Sequence, residues 1–151
     1  MALGAGAKGG MFSVTELRRH MAEREAAKAT EALRRAELEE AKKKALIEEF
    51  HKPPARTPDQ LLELLKQAVN QAAERGENHV QVYQFPSSVC KDGGRAINNF
   101  DGNWPESLDG RPRLAYEFWR EHLQPLGFGL KAEILDYPGG MPGDVGLTLT
   151  W

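Results

Sequence analysis

The sequence has few of the features that mark secreted, membrane or disulfide-rich proteins. It contains one cysteine among 151 residues, so no internal disulfide can form, and this favours a reducing compartment. No apolar run approaches the roughly 20 residues that are needed to cross a bilayer. The first ten residues also lack the apolar segment of a secretory signal. We therefore expect a cytoplasmic protein that makes no contact with a membrane.

Glycine and proline are both absent from residues 14–51, although the chain contains 15 and 9 of them respectively. Alanine, glutamate, lysine, arginine and leucine dominate this segment, and all five favour helices. Glutamates that precede a basic residue by four positions, as in Glu31 with Arg35, add about 0.2–0.5 kcal/mol per pair. The pattern predicts one long charged helix over residues 14–51, capped by Thr15. Residues 1–13 before it are expected to be a flexible Gly/Ala leader.

This helix has little apolar surface for a partner. A dimeric coiled coil needs leucine or isoleucine at most positions of its heptad track, whereas the best track here is mainly alanine (Ala22, Ala26, Ala29, Leu33, Ala36, Glu40, Lys43, Ile47). Nine lysines and arginines balance nine glutamates, which argues against a nucleic-acid-binding arm. The helix is therefore either a solvated rod or a surface that docks closely onto another protein or a second copy.

Residues 52–56 are predicted to be a proline linker, because Pro53 and Pro54 cannot continue the helix. Thr57, Pro58 and Gln60 then predict a new helix, since they supply a cap, a proline in the first turn and a capping-box partner. The boundary between the helical arm and the second region is placed at about residue 52.

Residues 57–151 are predicted to form an α+β domain with the order α-β-α-β-β. The first strand is "HVQVYQF", with Val80 and Val82 on one face and Tyr83 on the other. The last two strands pair as a hairpin through "PGGMPG". A right-handed crossover is expected to make the first two strands parallel. The prediction is thus a two-layer domain with a three-stranded mixed sheet, helices on one face and polar side chains on the other.

The loop over residues 86–110 is the candidate binding site, because loops longer than about 12–15 residues are often functional. Backbone amides of a glycine pair, together with basic and amide side chains, suit a small anion or the backbone of a partner. The candidate binding residues are Cys90, Gly93, Gly94, Arg95, Asn98, Asn99 and Trp104.

Three kinds of active or metal site are disfavoured in the same loop. Cys90 and Arg95 enclose four residues, one fewer than a cysteine-phosphatase loop requires, and Asp92 between them would repel an anionic substrate. No histidine is placed to activate the cysteine. "DGNWPESLDG" lacks the acidic or amide residue and the glycine that an EF-hand needs at its fifth and sixth positions. We expect no catalytic residue, no metal and no cofactor.

The element order resembles that of the Alba-like and initiation-factor C-terminal folds without their first strand, and this resemblance implies nucleic-acid binding. Residues 52–151, however, carry ten basic and thirteen acidic residues, although Arg111, Arg113 and Arg120 lie close together. We therefore predict a non-enzymatic interaction or assembly module, whose long helix docks onto a larger complex or self-associates. Association of the α+β domain with nucleic acid or the ribosome is one alternative. A small-anion or enzyme site in the loop 86–110 is the other.

Overall fold

The long amino-terminal helix is present and runs without a break. The computed structural model describes residues 13–151, in which α1 spans Val14–His51 and has no buried residue. The hydroxyl of Ser13 accepts a hydrogen bond from the Glu16 amide at 3.1 Å, so Ser13 caps the helix. The predicted cap at Thr15 is wrong because the helix begins one residue before it. The predicted leader lies outside the described residues, apart from Ser13.

The chain divides into two compact units, Met1–Lys44 and Ala45–Trp151. In the second unit, the end of α1 takes part in the packing, since Phe50 contacts the hydrophobic core. The predicted boundary at residue 52 coincides with the end of α1, whereas the contacts within the chain divide it between Lys44 and Ala45.

The second unit is an α+β domain, as predicted. Its helices are α2 (Pro58–Glu74), α3 (Arg95–Asn98) and α4 (Gly110–Phe118), and its strands are β1 (His79–Pro86), β2 (Gly129–Ile134) and β3 (Asp144–Thr150). A π-helical turn, Trp119–Leu123, and a 3-10 turn, Gln124–Leu126, continue α4.

The predicted start of α2 is confirmed. The Thr57 hydroxyl accepts from the Gln60 amide at 3.3 Å, and the Gln60 side-chain oxygen accepts from the Thr57 amide at 3.0 Å. Both halves of the capping box are therefore formed, with Pro58 in the first turn.

The sheet is antiparallel throughout, with the order β1-β3-β2. The hairpin of β2 and β3 is confirmed, but the predicted mixed sheet is wrong. β1 and β2 run in the same direction, yet β3 lies between them, so no parallel pair forms. β3 suits the central position because its residues from Val145 to Leu149 are all buried, and the small Gly146 and Thr148 fit on its second face.

A bulge in β1 changes which side chains reach the core. The register shifts between Gln81 and Tyr83, so that Val82 is an extra residue. Tyr83 consequently joins Phe85 on the apolar face, and their ring centroids lie 5.8 Å apart. The prediction that Tyr83 faces away from Val80 is wrong, because one additional residue reverses the alternation.

The core lies between the sheet and the connection from β1 to α4. Its buried residues are Phe85, Val89, Cys90, Ile97, Leu108, Val145 and Leu147. Four of these seven come from the loop 86–110, so this loop is part of the folded interior. Burying one such aliphatic side chain contributes about 1.5–3 kcal/mol.

Between Ser13 and Trp151, no helix has the length and apolarity that crossing a membrane requires.

Candidate functional site

The loop 86–110 is held at one end of the sheet by its contacts with the β2–β3 hairpin. The Ser87 amide donates to the Gly143 carbonyl and the Ser87 hydroxyl to the Pro142 carbonyl, both at 2.9 Å. The Tyr137 hydroxyl donates to the Asn98 side-chain oxygen at 2.7 Å. These bonds order the backbone on which most of the predicted binding residues lie.

The glycine amides predicted to hold an anion already have acceptors within the chain. The Gly94 and Ala96 amides each donate to a carboxylate oxygen of Asp92 at 2.9 Å, and the Gly93 amide donates to the Cys90 carbonyl at 3.2 Å. Gly94 is buried with a φ of +89°, and a Cβ there would lie 2.9 Å from the Ser87 Cβ. The chain's own carboxylate therefore occupies the position that a bound anion would take.

Cys90 is a core residue with a protonated thiol. Only 5% of its surface is exposed, and burial, followed by the nearby charge of Asp92, raises the pKa of its thiol to about 12. Because the thiolate is the reactive form, this environment suppresses nucleophilic chemistry at neutral pH.

The remaining predicted residues do not converge on one point. Arg95 and Asn99 are exposed, while Asn98 is held by Tyr137. Trp104 is half-buried and meets the Tyr116 ring edge-on, at a centroid distance of 5.7 Å. The seven residues therefore do not form one site: some lie in the turn around Gly94, some are exposed, and Trp104 packs against α4.

Phe100 is an exposed aromatic residue at the end of α3. The Phe100 amide donates to the Ile97 carbonyl at 3.2 Å and the Asp101 amide to the Ala96 carbonyl at 2.9 Å, which is the Schellman pattern that ends a helix. Phe100 takes the left-handed position of this motif, with a φ of +56°, and 81% of its surface is exposed. The four-residue length of α3 left no periodicity from which this end could be predicted.

A cluster of aromatic and arginine side chains surrounds Tyr116 of α4 and includes Trp104 from the preceding 3-10 turn, Trp104–Ser107. The Tyr116 ring has its centroid 5.7 Å from those of both Trp104 and Trp119. The guanidinium carbons of Arg113 and Arg120 lie 5.3 and 5.7 Å from the same centroid. We call these five residues the aromatic–arginine cluster; only the proximity of its arginines was foreseen from the sequence.

The amino end of α1 exposes apolar side chains that share a helical face. Val14, Leu17 and Met21 follow the spacing i, i+3, i+7 and are 62%, 46% and 64% exposed. We call these three residues the amino-terminal patch. Farther along, Leu33 and Leu38 are also exposed.

Several charged residues of α1 form ion pairs along the helix. Glu31 forms ion pairs with both Arg34 and Arg35, at 3.1 and 3.3 Å, and Glu39 lies 3.8 Å from Lys42. Exposed pairs of this kind each contribute little to stability. They keep the helix solvated without giving it a net charge.

In the described part of the chain, no group of three or more His, Cys, Asp or Glu side chains is arranged to hold a metal ion. The chain matches no protein-family model, and no curated protein or solved structure is similar to it at a significant level. What supports a function is therefore the geometry of the chain itself.

Proposed function

We propose that the protein is a non-enzymatic assembly module whose α1 helix docks onto another protein, either a larger complex or a second copy of this chain. One observation carries this proposal: α1 is 38 residues long and none of its residues is buried. Most helices in proteins owe their stability to packing of an apolar face. Apart from Phe50 near its carboxyl end, which contacts the domain core, α1 lacks such packing, and a helix of this length is then suited to a partner's surface.

The amino-terminal patch supplies the apolar contact for docking. Full burial of one large aliphatic side chain contributes about 1.5–3 kcal/mol, so three of them provide a small but specific anchor. The alanines at positions 22, 26, 29 and 36 then allow a close approach, because the distance between packed helices depends on the side chains at the contact.

The charges of α1 favour a protein partner of mixed polarity. Basic and acidic residues are equal in number over residues 14–51 and pair with one another along the helix. Binding to a polyanion depends on a basic excess, which α1 does not have. The ion pairs therefore suit the polar rim around an apolar contact.

The test compares the full chain with a double variant, Leu17→Gln and Met21→Gln. The control is Leu114→Gln, since Leu114 on α4 is 47% exposed and so is a matched apolar surface position outside α1. Sedimentation velocity reports self-association, and affinity capture from source-cell extract followed by mass spectrometry reports other partners.

We expect the double variant to lose the self-associated species or the captured partner, while the control keeps it. A wild-type chain that is monomeric and captures nothing would contradict the proposal. The same behaviour in the double variant and the wild type would contradict it as well.

The aromatic–arginine cluster favours a second candidate, in which the domain binds single-stranded nucleic acid. Aromatic rings beside arginines stack with bases and contact phosphates. Fluorescence anisotropy with labelled single strands at roughly 50 mM and 200 mM salt tests this candidate. We expect Arg120→Gln to weaken binding and Lys131→Gln, an exposed control on β2, to leave it unchanged. No binding at the lower salt concentration removes the candidate.

A further inference from the structure

Both ring nitrogens of His51, the last residue of α1, lie beside a hydrogen-bond acceptor. The His51 Nδ1 atom lies 2.7 Å from the Ile47 carbonyl oxygen, and its Nε2 atom lies 3.1 Å from a carboxylate oxygen of Asp109. Both neighbours are hydrogen-bond acceptors. A neutral imidazole carries one N–H and can serve one of them, whereas the imidazolium serves both.

The acceptor from the domain is held in place by a second bond. Asp109 precedes α4 as its N-cap residue, and one of its carboxylate oxygens accepts from the Gly110 amide at 3.0 Å. The other oxygen is the one that faces His51. The carboxylate thus joins the end of α1 to the start of α4.

Arg111 ties the same two segments together through the backbone. Its Nε atom donates to the Lys52 carbonyl at 2.8 Å and its Nη2 atom to the Pro53 carbonyl at 3.2 Å. Gly110, with a φ of +59°, approaches so closely that a Cβ would lie 2.5 Å from the Phe50 carbonyl oxygen. These contacts form a close backbone joint around the histidine.

The hydrogen bonds and charges at this joint favour the charged forms of His51, Asp109 and Glu49. The Ile47 carbonyl, and after it Asp109, raise the pKa of His51 above its ordinary value. The bond from His51 is the largest cause that lowers the pKa of Asp109, and Lys91 adds to it. Glu49 pairs with Lys52 at 2.9 Å, and Arg111 also acts on this carboxylate.

We propose that His51, Asp109 and Arg111 form a proton-controlled clamp that holds the last turn of α1 on the domain and loosens when His51 loses its proton. An arginine side chain is always protonated in proteins, so the histidine supplies the pH dependence. The clamp involves only residues of the second unit and does not depend on what α1 binds.

The sign of each pKa shift defines the pH range of the clamp. The pKa of His51 is raised, so its contribution is complete below the ordinary value of 6.5 and is lost as the pH rises through the raised value. The pKa of Asp109 is lowered, so its contribution is present above the ordinary 3.8 and is lost as the pH falls through the lowered value. The clamp is therefore strongest between these limits.

NMR spectroscopy of the full chain tests the clamp. The ring C–H signals of the four histidines, assigned with single His→Gln variants, give the midpoint of His51. Hydrogen-exchange protection factors of the amides at residues 49–52, measured over the same pH series, report opening of the joint. The amide of Leu147 in the central strand serves as the reference for global unfolding.

We expect protection at residues 49–52 to fall as His51 titrates, while the protection of Leu147 stays constant. Asp109→Asn keeps an N-cap residue but removes the charge, and it should lower the His51 midpoint. Below both midpoints, protection in Asp109→Asn should be lower than in the wild type, by roughly tenfold for each pH unit between their His51 midpoints. His51→Gln should remove the pH dependence of this protection over the range in which His51 titrates in the wild type.

Two results would overturn the clamp. One is the same His51 midpoint in the wild type and in Asp109→Asn. The other is constant protection at residues 49–52 while His51 titrates, since a histidine with a purely structural role would leave these readouts unchanged.

Discussion

The carboxylate of Asp92 accepts the amide hydrogen bond of Gly94 at 2.9 Å, and its second oxygen accepts that of Ala96 at the same distance. Asp92 therefore does for α3 what an N-cap residue does for a longer helix, and it orders the turn that carries Cys90 into the core. The backbone amides of this turn therefore bind a carboxylate of the chain itself.

Asp92→Ala should destabilise the protein by about 1 kcal/mol, which is the typical loss when a capping carboxylate is removed. Chemical denaturation monitored by tryptophan fluorescence measures this change. The control is Asp101→Ala, at an exposed acidic residue in the same loop, for which we expect almost no change. Equal stability of Asp92→Ala and the wild type would show that these amide bonds contribute nothing.

The Cys90 thiol should react slowly in the folded protein at neutral pH. Burial and Asp92 raise the pKa of this thiol to about 12, so almost no thiolate is present. Labelling with a chromogenic disulfide reagent, in buffer and in denaturant, measures the difference in rate. Rapid labelling in buffer would contradict the burial of this side chain and would show that Cys90 is reactive.

Phe100→Gly should stabilise the protein by about 1 kcal/mol. The left-handed conformation costs a side-chain-bearing residue about 1–2 kcal/mol, and the exposed phenylalanine ring offers little packing in return. Phe100→Ala is the control, because it removes the ring and keeps the backbone strain, and it should leave stability nearly unchanged. Thermal unfolding distinguishes the two, and a loss of stability in Phe100→Gly would show that the ring packs.

Gly110→Ala should destabilise the protein more than Gly93→Ala. Both glycines have positive φ, +59° and +70°, so both variants lose about 1–2 kcal/mol to backbone strain. Only at Gly110 does the added Cβ also meet a backbone oxygen, that of Phe50, whereas nothing lies within 4 Å at Gly93. Denaturation midpoints of the two variants provide the comparison, and equal midpoints would mean that the end of α1 is free to move aside.

Local signals in the sequence were sufficient to predict α1, the start of α2 and the final hairpin. Each depends on residues within a few positions of one another: the absence of glycine and proline in α1, the pairing of Thr57 with Gln60, and the turn between β2 and β3. Such interactions form in nearly any context. The α+β class follows from them because it depends only on the order of the elements.

The sheet order, the bulge at Val82 and the role of Asp92 were decided by the tertiary structure. β3 lies at the centre because it is the strand that can be buried on both faces. This choice depends on a comparison of all three strands, so the sequence of one strand does not reveal it. The bulge reverses which of Val82 and Tyr83 reaches the core, and the alternating pattern of the sequence does not predict a bulge. Asp92 was expected to repel an anion, whereas the fold turns it toward amides that it satisfies.

The same division applies to the candidate sites. The sequence by itself determined that the chain has a long, charge-balanced helix and an α+β domain, because helix propensity and capping act over a few residues. Only the tertiary structure decided that Cys90 is buried and that His51 meets Asp109 from 58 positions away. Contacts of this kind depend on how the core closes, and the free energy of closure is shared among residues that are distant in the chain.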